Sequence, residues 1–418
     1  MFMKQYIPEG FTKKECHVFM EDYDLTNLAK KYGTPLIIYS RKKIENNLRE
    51  LESAFSKFFE KFSIKYAVKS NNNPYILQII NKLGHGTDTS SRNEIAMSLK
   101  AGIAGDKISF SGNNISKDEL DIAIQTGARI NFDSLGQLKV LNEKVPKIVG
   151  FRIKTGYGRG QFKGLTTSGT GAKFGELPDK ALEGYKIAMK NGCRRFGIQI
   201  MAGSNVTDPD HFFKVGSDIS ELAVKFQRTL GIVFEYVDIG GGFGVPYRIN
   251  EEKIDIKKVA ENVYKAFKLN FNGAGYKIPE LVIEPGRYIV ANSGVLLGTV
   301  MDIKKQEMNY VGTDAGMNIL LRPALYGAYH HLIIANKADQ EANFMADVTG
   351  QICENTDRIA SGIYIPEPEI GDTVVIFNAG AYVESMASHY NGREIPPEIL
   401  IDSGRMEVIR EREKPLEF

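Results

Sequence analysis

From Ser63 to Gly286, short apolar segments rich in β-branched residues alternate with stretches whose apolar positions recur at three- and four-residue steps. The first kind reads as buried strands and the second as amphipathic helices. Eight strands can be counted: Ile64–Lys69, Gly86–Thr89, Ile108–Gly112, Ile130–Asp133, Ile148–Ile153, Phe196–Ala202, Tyr236–Gly240 and Leu281–Glu284. Helical periodicity fills the intervals, as in Tyr75–Leu83, Glu94–Lys100, Leu120–Gln125 and Ile256–Leu269. Repeated βα units predict a parallel sheet, and eight of them in this length predict a closed (β/α)8 barrel of the TIM type, with an open doubly wound sheet as the alternative. Ahead of the barrel come a strand over Pro35–Tyr39 and a helix with Ile44, Leu48, Leu51, Phe55 and Phe58 on one face.

After about Ala291 the strands lose their helical spacers: Gly294–Val300, Tyr310–Thr313, Met345–Gly350, Thr373–Phe377 and Met406–Arg410. This predicts a mostly antiparallel C-terminal β domain. The expected organisation is an N-terminal segment over residues 1–40, a barrel over 41–290 and the β domain over 291–418. The Gly/Thr/Lys-rich stretch Thr155–Gly171 has no clear period and reads either as an active-site loop or as a passive surface insertion.

Composition removes several classes. The 418 residues carry 53 Lys+Arg against 51 Asp+Glu, a net charge of +2, with 43% hydrophobic residues. That is globular, large enough for a full core, and without the electrostatic footprint of a nucleic-acid or membrane-surface binder. The longest charged run, from Arg410 to Lys414, reads as a solvated tail. No 18 apolar residues run together and the first ten residues carry Lys4 and Glu9, so a mature cytoplasmic protein is expected. Cys16, Cys193 and Cys353 are far apart without C-x-x-C spacing, and the six histidines form no pair at ligand spacing. Neither a disulfide framework nor a metal site is offered.

Barrel enzymes place their chemistry at the C-terminal ends of the strands. Here those ends carry Lys69, Asp88, Gly112-Asn113, Arg152, Gly203-Ser204, Gly240-Gly241-Gly242, and Glu284 with Arg287. A lysine in a barrel mouth is a salt-bridge partner or, when desolvated, an amine able to form a Schiff base. Three consecutive glycines after the seventh strand suit a phosphate cradle, although tight turns use glycine too. Arg287 adds a planar fork of donors that matches phosphate or carboxylate. The acid at Glu284 favours pyridoxal phosphate over a sugar-phosphate aldolase, because a carboxylate facing the pyridine nitrogen keeps it protonated and makes the ring an electron sink.

Seven motifs carry a resemblance: YAVKSN (Tyr66–Asn71), KFG (Lys173–Gly175), GGGFGVPY (Gly240–Tyr247), EPGR (Glu284–Arg287), DAGMN with RPALY (Asp314–Asn318, Arg322–Tyr326), CENTD (Cys353–Asp357), and GAY followed by SHYNGR (Gly380–Tyr382, Ser388–Arg393). In this order they resemble the pyridoxal-phosphate-dependent decarboxylases built on the alanine-racemase-like barrel (fold type III), and within them the diaminopimelate decarboxylase family. The resemblance implies that Lys69 carries the cofactor, that Asp88 and Gly286 belong to its pocket, and that Ser204, Gly240, Gly241 and Gly242 hold its phosphate. It implies that Glu284 meets the pyridine nitrogen and that Arg287 and Tyr382 work between phosphate and substrate. Arg322 and Tyr326 match the positions that bind a distal carboxylate; Cys353, the proton donor, and Glu354, which holds the distal amine, enter from the partner subunit of a homodimer. It also implies that residues 1–40 join the C-terminal β domain.

The implied activity is decarboxylation of meso-2,6-diaminopimelate to L-lysine and CO2, the last step of lysine biosynthesis. Such a substrate needs its spectator carboxylate neutralised and its spectator ammonium accepted, and Arg322, Tyr326 and Glu354 supply those charges. On the residues alone, an ion-pair anchor between domains is the other role open to Arg322. One departure bears on the substrate: the family's sixth strand ends in H-x-G-S-Q, and this chain has Met201-Ala202-Gly203-Ser204-Asn205. Met201 keeps open a decarboxylase for ornithine, lysine, carboxynorspermidine or a carrier-tethered glutamyl group, and a silent pyridoxal-phosphate-binding relative stands as the alternative from another class.

Overall fold

The computed structural model describes residues 3–160 and 171–415, so most of the loop expected over 155–171 lies outside the described residues. The chain divides into two compact units, one of Asn47–Val245 with Lys253–Tyr288 and one of Met1–Asn46, Pro246–Glu252 and Ile289–Phe418.

The first unit is the closed barrel. Its strands are β1 (Phe62–Ala67), β2 (Gly86–Thr89), β3 (Ile108–Phe110), β4 (Arg129–Phe132), β5 (Ile148–Arg152), β6 (Arg195–Gln199), β7 (Phe234–Asp238) and β8 (Glu280–Ile283), each hydrogen-bonded in parallel to the next, with β4 closing on β5 and β8 on β1. Between them run α1 (Pro74–Lys82), α2 (Arg92–Lys100), α3 (Lys117–Thr126), α4 (Leu135–Val140), α5 (Pro178–Lys190), α6 (Pro209–Leu230) and α7 (Ile256–Phe271). The starts are written locally. Asn73 caps α1 ahead of Pro74, Ser116 and Glu119 form a capping box on α3, and Asp208 caps α6 ahead of Pro209. Several strands end before their expected limits, β1 at Ala67, where the 3-10 turn Val68–Ser70 follows, β6 at Gln199, and β7 at Asp238, where Gly240 and Gly242 take positive φ.

Aromatic residues fill both sides of the barrel wall. Outside, Tyr185 of α5 meets Phe151, Phe196, Phe226 and Phe234 with ring centroids 5.1–5.9 Å apart, and its hydroxyl donates to Gly197 O at 2.6 Å. Inside, Tyr236 reaches from β7 to β4, where its hydroxyl donates to Asn131 Oδ1 at 2.6 Å. A Cβ at Gly197 would lie 2.0 Å from the Tyr236 ring, so only glycine on β6 lets that ring cross the lumen.

The second unit is a twisted sheet in the order Arg358–Ile365, Phe344–Thr349, Tyr310–Thr313, Gly294–Lys304, Leu36–Ser40, Glu398–Asp402 and Arg405–Arg410. The strand Leu36–Ser40 is interior, antiparallel to Gly294–Lys304 and parallel to Glu398–Asp402, and all five of its residues are buried. Its core joins Leu25, Leu28, Leu36, Ile38, Val295, Leu297, Val375, Phe377, Ile399 and Ile401. The charged run near the C-terminus is not the solvated tail expected of it. Arg410 pairs with Glu384 and the fully buried Glu398, Arg412 donates to Pro35 O at 3.0 Å, and Glu413 accepts from Ile395 N at 2.8 Å.

Candidate active site

Lys69 leaves β1 in the single 3-10 turn Val68–Ser70, which is braced by Ser70 Oγ donating to Ala67 O at 2.7 Å. Its half-exposed ammonium stands in the mouth, 2.7 Å from Oδ2 of the buried Asp88 at the end of β2. The EPGR turn after β8 packs directly on this lysine turn. A Cβ at Gly286 would lie 2.9 Å from Ser70 Cβ, and Ala67 N donates to Pro285 O at 3.2 Å. Arg287 follows, buried, at the start of the one-turn helix α8 (Arg287–Val290).

Glu284 is buried at the end of β8 and accepts from Gln199 Nε2 at 2.5 Å. Burial pushes its carboxyl well above the usual carboxylate range, and the neighbouring Asp238 and Asp88 carboxylates push it further. Asp238 at the end of β7 is raised by burial as well, so this pair retains a proton under conditions where isolated carboxyls have lost theirs. Asp88 Oδ1 is buried with no hydrogen-bond partner among the described residues, and Asp238 bonds side chain to side chain with Glu284 through the proton the pair retains. Three buried carboxylates crowd beside the Lys69 ammonium, with the Arg152 guanidinium also near them, and an orphaned oxygen of Asp88 lacks a donor; that set fits a protonated pyridine ring held through Lys69.

The glycine run after β7 closes against β6 and β8. Gly240 and Gly242 take φ of +71° and +93°, and Cβ atoms at Gly240, Gly241 and Gly242 would strike Ile200 O at 2.6 Å, Glu284 O at 2.3 Å and Gly203 O at 2.9 Å. Such a run lets the backbone approach a phosphate, and the neighbouring turn brings Ser204 beside it, with Val206 N donating to Gly242 O at 2.9 Å. Met201 is built into the cradle: its Sδ accepts the Gly241 N–H at 3.2 Å, a role open to a thioether that can donate nothing. Arg152 at the end of β5 is buried, its guanidinium 4.7 Å from the Phe174 ring centroid and 3.7 Å from Asp133 Oδ1.

In the other unit Arg322 and Tyr326 share the short helix Arg322–Tyr326. Arg322 is buried, lies over the Tyr247 ring at 4.9 Å, and donates to His330 Nε2 at 2.7 Å. Because Arg322 can only donate, His330 accepts through Nε2 and carries its proton on Nδ1, 3.0 Å from Phe377 O. At that contact the imidazole serves as an acceptor for the guanidinium. Tyr382 sits at φ +57°, a left-handed backbone rarely tolerated outside glycine and asparagine. Cys353 and Glu354 occupy an exposed loop before the strand Arg358–Ile365. Among the described residues no group of three or more His, Cys, Asp or Glu side chains could hold a metal ion, and no helix is long and apolar enough to cross a membrane.

The structure adds residues that the sequence reading passed over. Gln199 lies on the lumen face two residues before Met201, His330 looked like one of six scattered histidines, and Tyr247 stood inside the GGGFGVPY motif without a role. Alternation along β6 is a sequence signal for Gln199; the Arg322–His330 contact has none.

Comparison with known proteins gives the same direction. The model of the pyridoxal-dependent decarboxylase pyridoxal-binding domain matches residues 41–291. The chain is 39% identical to a diaminopimelate decarboxylase of Methanothermobacter thermautotrophicus over 97% of this chain and 95% of that protein. It is 41% identical to one of Thermoplasma acidophilum over 94% of each. A crystal structure of diaminopimelate decarboxylase from M. jannaschii with L-lysine superposes with a TM-score of 0.88 at 30% identity, covering 97% of this chain and 96% of that one. Joined to the barrel mouth built around Lys69, Asp88 and Glu284, these likenesses place the chain in the pyridoxal-dependent decarboxylases, and within them in the diaminopimelate decarboxylase family.

Proposed function

We propose that the protein decarboxylates meso-2,6-diaminopimelate to L-lysine and CO2, as a cytoplasmic homodimer with shared active sites. The observation that carries the substrate is Arg322, a guanidinium buried over the Tyr247 ring on the short helix that also carries Tyr326, a pair whose donors match a carboxylate far from the reacting carbon. Bound through Lys69, pyridoxal phosphate supplies the electron sink for the pair released as the α-carboxylate departs. Glu284 holds the proton on the ring nitrogen, and Asp88 fixes the Lys69 amine. Ser204 with Gly240, Gly241 and Gly242 cradles the phosphate, Gly286 keeps the lysine turn and the EPGR turn in contact, and Arg287 and Tyr382 serve phosphate and substrate together. Arg322 and Tyr326 take the distal carboxylate and Glu354 the distal ammonium, while Cys353 Sγ moves a proton to the α-carbon where the carboxylate has left. Cys353 and Glu354 reach this site from the partner chain. All three cysteines are free, which suits a reducing compartment.

The test is a coupled assay for lysine and CO2 from meso-diaminopimelate with cofactor-reconstituted protein and Lys69→Ala as the control. Lysine formation by wild type, with a loss of at least about a thousandfold in the variant, is expected. Equal turnover by both overturns the assignment of Lys69. Met201 favours a second reading, a related amino acid without the second carboxylate. Preference for ornithine or lysine over diaminopimelate in a substrate panel decides for it and removes the role given to Arg322.

A further inference from the structure

The SHYNGR motif has no part in the function described so far. The structure ties it to the two motifs on either side of it in the site. Asp357, the buried end of CENTD, accepts from Met317 N at 2.6 Å and from Ile352 N at 2.7 Å, which fastens the Cys353–Glu354 loop to the DAGMN turn. The same DAGMN turn holds SHYNGR, because Ser388 N donates to Asn318 O at 2.8 Å. The circuit closes through side chains: Tyr390 Oη donates to Glu354 Oε1 at 2.5 Å, and Cys353 Sγ donates to Asn391 Oδ1 at 3.4 Å. Two adjacent residues of one loop are thus bonded, in antiparallel order, to two adjacent residues of the other.

The local backbone serves this pairing. Asn391 stands at φ +58° and ψ 24° inside the turn Tyr390–Gly392, a left-handed conformation that asparagine tolerates better than most residues. Beyond it, Glu413 anchors the segment from both ends, accepting from Ile395 N and lying 2.8 Å from His389 Nε2. Left to itself, the Glu354 side chain has three free torsions on an exposed loop. The phenol of Tyr390 is pushed up to about 12, first by its bond to Glu354, so it remains a donor throughout the working range.

We propose that Tyr390 and Asn391 are positioning residues for the reacting pair: Tyr390 fixes the Glu354 carboxylate for the substrate's distal ammonium, and Asn391 fixes the direction of the Cys353 thiol. The proposal rests on the roles of Cys353 and Glu354 given above.

Steady-state kinetics on the holoenzyme test it. Tyr390→Phe keeps the ring and removes the donor. It should raise KM for meso-diaminopimelate about tenfold and leave kcat within about twofold. Its Ki for 2-aminopimelate, which lacks the distal amine, should match that of wild type, because Glu354 then has nothing to hold. Placed on Glu354→Gln, it should add less than about twofold. Asn391→Gly keeps the left-handed backbone and removes the amide. It should lower kcat about tenfold with KM unchanged, and have no further effect on Cys353→Ala. If Glu354→Gln leaves KM unaltered, the reading of Glu354 falls and the proposal with it. If Glu354→Gln raises KM but Tyr390→Phe does not, or if Tyr390→Phe weakens 2-aminopimelate equally, the proposal alone is overturned. An Asn391→Gly loss that persists on Cys353→Ala removes the part given to Asn391.

Discussion

Glu284 is held where its charge is disfavoured. Burial is the first cause and the carboxylates of Asp238 and Asp88 the next, so its folded proton affinity lies above that of the same group in the unfolded chain, whose reference pKa is 4.5. Over the range between the two values the folded protein binds more protons than the unfolded one, and stability falls as pH rises. That arrangement costs the empty protein stability, which accords with the proposed role of Glu284 opposite a protonated ring. Glu284→Gln keeps the shape and the bond to the Gln199 amide while removing one of the crowded acids. The variant is expected to gain on the order of 1 kcal/mol in the cofactor-free state on the alkaline side of neutrality, with a flatter dependence of the thermal midpoint on pH. On the role proposed for Glu284, turnover should fall by about a hundredfold or more. Calorimetry across pH on the cofactor-free protein checks the first part. A variant whose midpoint declines as steeply as that of wild type places the crowding elsewhere.

At the scale of elements, the start of α6 carries a second buried titration. His211 lies in the first turn after the Asp208 cap, buried, with Nδ1 3.0 Å from Tyr157 Oη. Burial pulls its pKa down from 6.5 to about 4, with Arg159 adding to the effect. For a base whose folded pKa is depressed, the unfolded chain takes up the proton first as pH falls. Stability that is complete above 6.5 is lost progressively toward about 4, by at most ~3 kcal/mol for this one group. The loosened contact joins α6 to the segment in which Arg159 and Gly160 align with Gly203 and Ser204. His211→Gln should flatten the acid limb of the thermal midpoint, and an unchanged limb assigns it to another group. The elements themselves were legible to different degrees. Barrel strands announce themselves because most of them are largely apolar where they are buried and the first seven are each followed by a helix, which is why Lys69, Asp88 and Glu284 could be placed at their ends from sequence. Arg358–Ile365 and Glu398–Asp402 escaped notice for physical reasons: the first is interrupted by Gly362 at φ +61°, and the second is interior and carries the buried Glu398, whose charge is met only in three dimensions by Arg410. Alternation along β6 signals Gln199, whereas His330, Tyr390 and Asn391 act through contacts that only the fold creates, and no local pattern marks such contacts.

On the scale of the whole molecule, the chain's two ends are folded into one sheet, with Leu36–Ser40 between Gly294–Lys304 and Glu398–Asp402. The unit that carries Arg322, Cys353, Glu354 and Tyr382 therefore cannot form until the last strands are made, and it is interrupted in sequence by the barrel that carries Lys69 and Glu284. A proton donor supplied by a second copy, as proposed, makes a quantitative demand on the assembly. As pure dimers Lys69→Ala is expected to be inactive and Cys353→Ala to keep only a small residual rate, since every site lacks one member of the pair. In a mixed dimer one site combines the intact Lys69 of one chain with the intact Cys353 of the other, and the second site has neither. Random reassortment of equal amounts makes half of the dimers mixed, so activity should return to about a quarter of the wild-type level on a per-chain basis. Mixing after dissociation in mild denaturant and reassociation, with sedimentation to confirm the dimer, measures this. If each site drew both residues from one chain, every mixed dimer would keep two defective sites and the mixture would stay as inactive as its components. Recovery near a quarter thus reports on the sharing of the site, independently of how fast the intact site turns over.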